Sequence, residues 1–148
     1  MPGVDPRILG YLGRALSMEL SAVQNYSTQA RLAHTWGLDE AARRFKQEAV
    51  EEQEHVDRII GRMLALGVAP NGSILRPAGV GASLKELLAH DHAFEQELMN
   101  LYAHAADHAA RIGDADSRLF FQGLLEEERD HAREMSQWMA ELENGAPR

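Results

Sequence analysis

The sequence contains no cysteine among its 148 residues. This absence excludes disulfide bonds, thiolate zinc sites, cysteine-ligated iron–sulfur clusters and thiol catalysis. Any bound metal ion must therefore be held by oxygen and nitrogen atoms. Long hydrophobic runs are also missing, since none approaches the roughly 20 residues that span a bilayer. Residues 1–7 lack the basic-then-apolar order of a signal peptide, so we expect a cytoplasmic protein with no membrane partner.

Basic residues are few, with 15 Lys and Arg against 23 Asp and Glu and a formal net charge of −8. Their densest local excess, Arg43-Arg44 with Lys46, is soon followed by acidic residues. A nucleic-acid binder needs a basic stripe or tail, so we expect no nucleic-acid partner. The chain length fits one domain, 1–148, with a sizeable core.

Glycine and proline cluster at the amino-terminal tip, in residues 67–81 and in residues 144–148. The stretches between them are long, rich in helix-forming residues and periodic in their apolar positions. This pattern predicts an all-α protein with four helices. We expect the helices near residues 5–35, 39–66, 83–112 and 115–143.

The links between the helices differ in length. The first and third are short, which predicts two antiparallel helical hairpins. The link 68–81 has about 14 residues and reaches about 45 Å when extended, comparable to the length of a 28-residue helix. It can therefore cross the bundle lengthwise. This favours a four-helix bundle with one long crossover, which is the ferritin-like connectivity.

The two predicted hairpins are related by an internal repeat with an offset of 76 residues. Eleven of the 48 positions from 19 to 66 are identical to their partners, without a gap. The matched pairs are Glu19/Glu95, Tyr26/Tyr102, Ala30/Ala106, Ala33/Ala109, Gly37/Gly113, Phe45/Phe121, Glu51/Glu127, Glu52/Glu128, His55/His131, Met63/Met139 and Leu66/Leu142. We therefore expect the hairpins to pack with approximate twofold symmetry.

Each predicted helix carries one glutamate in the middle of its apolar stripe, at about 100° per residue. Two of these acids are followed by a histidine three residues later, on the same helical face. The six residues are Glu19, Glu52, His55, Glu95, Glu128 and His131.

Burying an unpaired carboxylate costs several kcal/mol, and no Lys or Arg lies on these stripes to pair with the acids. Two divalent cations would balance four carboxylates, and oxygen with imidazole ligands suits Fe(II) or Mn(II). One buried Glu-x-x-His is more often an intrahelical polar pair, but two matched copies favour a di-metal site over a metal-free structural bundle.

Residues 16–26, 36–38, 52–58 and 128–131 resemble the corresponding segments of bacterioferritins. The resemblance implies a ferritin-like di-iron domain in which Glu52 and Glu128 bridge two iron ions. It pairs Glu19 with His55 on one ion and Glu95 with His131 on the other, with Mn or Zn as substitutes. The implied activity is ferroxidation: dioxygen or peroxide oxidises Fe(II), and ferric mineral is stored in a homo-oligomeric shell. Tyr26 resembles the redox-active tyrosine of the family, the alternative being a core tyrosine.

The sequence departs from the family pattern at three places. Gln53 stands where bacterioferritins have a haem-ligating Met, so we expect no haem by that route, and Met18 is better explained by packing than as a ligand. Gln47 stands where an accessory iron site often has His, which puts that site in doubt. The sequence ends soon after Leu142, where the family continues into a fifth helix, so shells of 12 and of 24 subunits both stay open.

Two other functions are compatible with the six residues. One is a DNA-protecting miniferritin that uses peroxide, although no basic tail supports DNA binding. The other is a rubrerythrin-like peroxidase. Of the remaining polar residues, we expect His104 and His108 to face solvent or a neighbouring subunit. Acids beside the site, Glu48, Glu51 and Glu127 among them, are expected on a solvated face, the alternative being that inside a cage they attract Fe(II) and nucleate mineral.

Overall fold

The computed structural model describes residues 3–145 and has four helices packed around one apolar core. The helices are α1 (Pro6–Thr35), α2 (Asp39–Ala65), α3 (Leu84–Arg111) and α4 (Ala115–Glu143). These bounds lie within one residue of the predicted ones, and no strand occurs within 3–145. The prediction of an all-α bundle is confirmed.

The helix ends follow local chemistry. The side chains of Asp5, Ser83 and Asp114 accept hydrogen bonds from free backbone N–H groups in the first turns of α1, α3 and α4. Gly37 and Gly113 have φ angles of 77° and 73° just after α1 and α3. A residue with a side chain rarely adopts this left-handed conformation, which explains why glycine occurs at both positions of the repeat.

The chain between α2 and α3, residues 66–83, contains no helix and runs along α1. Four polar side chains of α1, spaced four residues apart, hydrogen-bond its backbone: Ser17 to Ile74 N, Ser21 to Arg76 N, and Asn25 and Gln29 to Gly79 N and O. Residue numbers rise together along α1 and along the crossover in these contacts, so the crossover runs parallel to α1. It therefore carries the chain from one end of the bundle to the other. This confirms the predicted long crossover.

The core shows the predicted twofold relationship. The rings of Tyr26 and Phe45 lie 6.5 Å apart between centroids, and those of their repeat partners Tyr102 and Phe121 lie 6.4 Å apart. All four side chains are fully buried. The repeat therefore describes packing as well as sequence.

The prediction for His108 is wrong, because this side chain is buried rather than exposed. Its Nε2 lies 2.9 Å from the carboxylate of Asp5, and its ring packs 6.1 Å from that of Tyr11. The reason is that the end of α3 lies beside the beginning of α1, which covers a flank of α3 that faces away from Glu95. His104, one turn earlier, is exposed as expected.

Within the described part of the chain, no helix combines the length and the apolar character that a membrane-spanning segment needs.

Candidate metal centre

The six predicted residues converge at mid-height of the bundle, where each helix contributes one glutamate. They form two quartets, in each of which the candidate ligand atoms all lie within 4.8 Å of one another. One quartet is Glu19, Glu52, His55 and Glu128, and the other is Glu52, Glu95, Glu128 and His131. Glu52 and Glu128 belong to both. The arrangement is therefore a pair of adjacent four-ligand sets that share two carboxylates.

In the first quartet, three carboxylates point at the same nitrogen atom. His55 Nδ1 lies 2.6 Å from Glu19 Oε2, 2.8 Å from Glu128 Oε1 and 3.3 Å from Glu52 Oε1. An imidazole nitrogen has one proton at most, so it can donate to only one of these oxygens. Three carboxylate acceptors around one imidazole nitrogen are more than a single proton can bridge, and this arrangement is expected where a cation binds between the groups.

The second quartet repeats this geometry more loosely. His131 Nδ1 lies 3.3 Å from Glu52 Oε1 and 3.6 Å from Glu128 Oε2. Both Nδ1 atoms thus face the shared carboxylates. The i, i+3 spacing in α2 and α4 produces this arrangement, because it brings each histidine onto the face of its own glutamate.

Many polar atoms of the cluster are buried without a hydrogen bond. Among the described residues, the atoms without a partner include both carboxylate oxygens of Glu52 and Glu128, Oε1 of Glu19, Oε2 of Glu95 and Nδ1 of His131. Buried polar groups nearly always have a hydrogen-bond partner, so this concentration of unpaired acceptors needs an explanation. Two divalent cations with oxygen and nitrogen ligands fit this donor set.

Burial also makes the cluster resist ionisation. It raises the pKa of Glu19, Glu52 and Glu95, and the Glu128 carboxylate raises each further. Burial opposes the charge of Glu128 as well, but the neighbouring Glu95 carboxyl and the two imidazoles keep the pKa of Glu128 below its ordinary value. Without a cation, the bundle must therefore hold protons to tolerate the four acids.

Tyr26 contacts the cluster directly. It is fully buried, and its hydroxyl donates a 2.6 Å hydrogen bond to Glu95 Oε1. Burial raises the pKa of Tyr26 well above its ordinary value, and the charge of Glu95 raises it further. The phenol therefore stays protonated and orients one carboxylate oxygen of Glu95.

The expectation that Glu51 and Glu127 lie on a solvated face is only partly met, because each also contacts a histidine. Glu51 Oε2 lies 3.0 Å from His131 Nε2, and Glu127 Oε1 lies 3.5 Å from His55 Nε2. We call these two half-exposed acids the outer carboxylates. A carboxylate on the far nitrogen of a metal-binding imidazole fixes the ring orientation and the tautomer. Arg58 in turn holds Glu127, with Nη2 2.5 Å from Oε2.

A cavity of about 180 Å³ opens between α2 and α4 beside the second quartet. Its charged lining consists of three acids and two basic residues: Glu48, Glu51, Glu134, Arg43 and Arg44. Glu48 is mostly buried, and burial raises the pKa of Glu48 to about 7. Together with His131, Glu48 and Glu51 form a third cluster of potential ligand atoms, so this acidic cluster extends from the surface to the second quartet.

Neither of the two residues considered for haem belongs to a quartet. Gln53 is exposed on α2 and donates a 3.3 Å hydrogen bond to Asp57. Met18 is half-buried and lines a surface groove between α1, the crossover and α3.

A second buried polar group was not predicted from the sequence. Asp91 is fully buried on α3, and its Oδ1 accepts hydrogen bonds from Asn25 at 2.8 Å and from Gln29 at 2.7 Å. Burial raises the pKa of Asp91 to about 7. The four-residue spacing of polar side chains on α1 was the available signal. This group joins the crossover to α1 and α3 one turn from Glu95.

Comparisons with known proteins agree with this architecture. The family model for the ferritin-like domain matches residues 9–144. The chain is 36% identical over 127 residues to a bacterioferritin of Rhodobacter capsulatus, covering 86% of this chain and 79% of the relative. It is 31% identical over 127 residues to a bacterioferritin of Brucella melitensis, with the same coverage of 86% and 79%.

A solved structure of Rhodobacter capsulatus bacterioferritin superimposes with a TM-score of 0.92 at 32% identity, covering 97% of this chain and 89% of that one. That structure has a metal-free dinuclear site and a haem iron in a crystallographic special position.

Proposed function

Because the chain belongs to the bacterioferritin family of ferritin-like proteins, we propose that it is an iron-storage protein with a ferroxidase centre within each subunit. The two quartets would each bind one Fe(II) as substrate, with Glu52 and Glu128 shared between them. Dioxygen or peroxide would accept the electrons, and Fe(III) would pass into a mineral. One observation carries the proposal, namely the two adjacent oxygen and nitrogen ligand sets buried in the core.

The protein residues would contribute charge, orientation and proton release. Four carboxylates neutralise two divalent ions, while the two Nδ1 atoms complete the quartets. Cation binding must displace the protons that burial keeps on the acids, so it releases protons and weakens at low pH. The Tyr26 hydrogen bond and the outer carboxylates hold the ligands in place while iron binds and leaves.

The acidic cavity beside His131 is the route that we propose for Fe(II). The two arginines of the lining are paired with other acids, Arg43 with Glu40 and Arg44 with Glu141. The three acids of the lining would therefore concentrate cations at the surface, and the mostly buried Glu48 leads inward to the second quartet. A site reached through an acidic passage attracts cations and repels anions.

Mineral storage also requires a hollow assembly, and we propose a homo-oligomeric cage of 12 or 24 copies. Size-exclusion chromatography with light scattering tests this part. A mass of 12 or 24 subunits supports storage, whereas a stable dimer would be incompatible with it. Haem is not part of the proposal, because Gln53 offers no thioether.

The enzymatic part is tested by aerobic oxidation of Fe(II), followed by the absorbance of Fe(III). We expect rapid oxidation by the wild type and loss of the catalysed rate in Glu52→Ala and in Glu128→Ala. Glu126→Ala is the matched control, because Glu126 is an exposed acid of α4 two residues from Glu128. Equal rates for all four proteins would refute the ferroxidase centre.

A further inference from the structure

The internal repeat places a second tyrosine beside the centre. Tyr102 on α3 is the repeat partner of Tyr26 on α1, as Glu19 is the partner of Glu95. Both tyrosines are fully buried, and each packs against a phenylalanine at nearly the same distance. By this symmetry Tyr102 stands to Glu19 as Tyr26 stands to Glu95.

The two pairs differ in their hydrogen bonds. Tyr26 donates to Glu95 at 2.6 Å. Within the described chain, neither the Tyr102 hydroxyl nor Glu19 Oε1 has a hydrogen-bond partner. The other oxygen of Glu19 is taken by His55 Nδ1 at 2.6 Å. A buried donor and a buried acceptor are therefore both unsatisfied on the same side of the centre, which is costly unless another state of the site pairs them.

The electrostatics of Tyr102 and Glu19 show that the two groups act on each other. Burial raises the pKa of Tyr102, and Glu19 is the charged group that raises it most. Burial raises the pKa of Glu19 as well, while the Tyr102 hydroxyl acts in the opposite direction and lowers it. The phenol thus favours the ionised form of Glu19, which is the form that binds a cation.

We propose that Tyr102 is a positioning residue of the centre, whose hydroxyl donates to Glu19 when a divalent cation is bound by Glu19 and His55. Nδ1 carries no proton once it binds a cation, so the direct Glu19–His55 hydrogen bond is lost and Glu19 needs another donor. Tyr102 is the buried donor without a partner on that side. This inference rests on the proposed metal centre and assigns one tyrosine to each quartet.

The test measures cation binding rather than activity. Co²⁺ is the probe, since it is stable in air and its visible absorption reports bound ion. The His131→Ala variant keeps the quartet that contains Glu19 and His55. The His55→Ala variant keeps the quartet that contains Glu95 and His131. We expect Tyr102→Phe to weaken Co²⁺ binding about tenfold in the His131→Ala background and to leave it unchanged in the His55→Ala background.

Tyr26→Phe is the matched control. It should weaken Co²⁺ binding in the His55→Ala background and leave it unchanged in the His131→Ala background. Tyr102→Phe should also leave the free energy of unfolding of the metal-free protein undiminished, because its hydroxyl has no partner there. Equal weakening in both backgrounds, or none in the His131→Ala background, would overturn the role of Tyr102 alone. Failure of the wild type to bind Co²⁺ would overturn the metal centre and this inference with it.

Discussion

The rings of His55 and His131 are stacked, with their centroids 5.8 Å apart and an angle of 11° between the ring planes. Each ring turns Nδ1 inward to the shared glutamates and Nε2 outward to an acid of the opposite helix. Both imidazoles are thus held between inner and outer carboxylates. The pair forms a symmetric frame in which the tautomer of each ring is set by the protein.

The outer carboxylates should therefore influence cation affinity without binding the cation. We expect Glu127→Gln to weaken Co²⁺ binding by about 10- to 100-fold, because the amide holds the His55 ring less well. Glu126→Gln makes the same chemical change at an exposed neighbour and should have no effect. Titration followed by visible absorption measures both, and equal affinities for the two variants would contradict the orienting role.

Glu52 should oppose folding when no cation is present and the pH is near neutral or above. Burial and the charges of Glu128 and Glu19 raise the pKa of Glu52, so the folded chain keeps a proton that the unfolded chain releases. The free energy of unfolding therefore falls as pH rises from the ordinary pKa of a glutamate through the raised pKa. At pH 8 we expect metal-free Glu52→Gln to be more stable than the wild type by about 1 kcal/mol or more. Adding Co²⁺ should raise the Tm of the wild type but not of this variant.

Glu54→Gln serves as the control for this change, because Glu54 is an exposed acid on the same helix. It should leave both the metal-free Tm and its increase with Co²⁺ as in the wild type. A metal-free Glu52→Gln protein that melts below the wild type would show that the acid stabilises the fold by itself.

Asp91 should make stability depend on pH near neutrality. Its pKa of about 7 lies above the ordinary value of 3.8, so the folded chain keeps a proton that the unfolded chain releases. The free energy of unfolding should therefore fall between about pH 4 and pH 7, by a few kcal/mol at about 1.36 kcal/mol per unit of pKa.

Asp91→Asn keeps the acceptor oxygen for Asn25 and Gln29 and cannot ionise. Relative to the wild type, this variant should gain stability as pH rises from 5 to 7.5, as measured by denaturant unfolding in chelator. Asp107→Asn, at an exposed position of α3, should follow the wild type. A constant difference between Asp91→Asn and the wild type across this range would contradict the assignment.

The close contact between the crossover and α1 leads to a prediction for Gly72. A Cβ atom at this position would lie 2.6 Å from Leu16 Cγ, and Leu16 is buried in the core. We expect Gly72→Ala to destabilise the fold by about 1–3 kcal/mol. Gly61→Ala, in open space on α2, should instead stabilise it by about 1 kcal/mol. Thermal unfolding distinguishes the two, and a neutral Gly72→Ala would show that the crossover is loosely packed.

Most of the architecture could be predicted because local signals agree with one another. Apolar periodicity, the clustering of glycine and proline in a few segments, and the length of one link predicted four helices and their connectivity. The six candidate ligands were visible as charges in the middle of apolar stripes, and the structure brings all six together. Their role as ligands remains a prediction. The cavity and the hydrogen bonds of the crossover depend on side-chain geometry that periodicity does not contain.

The wrong predictions have a common physical cause. The direction of a side chain on one helix does not tell which neighbouring segment covers it. His108 faces away from Glu95, yet the first turn of α1 buries it. The outer carboxylates are similar, since only the packing of α2 against α4 brings each of them to a histidine. Tyr102 was visible in the repeat, but its interaction with Glu19 depends on burial and hydrogen bonding in three dimensions.

One of the pairs at which the two halves of the repeat differ makes the surroundings of the two histidines unequal. Arg58 holds Glu127 outside His55, whereas the corresponding residue on the other side is Glu134, in the acidic cavity beside His131. A guanidinium outside one imidazole thus corresponds to a carboxylate outside the other. The inner ligands follow an approximate twofold rotation but their surroundings do not, so we expect the two quartets to differ in their affinity for a cation.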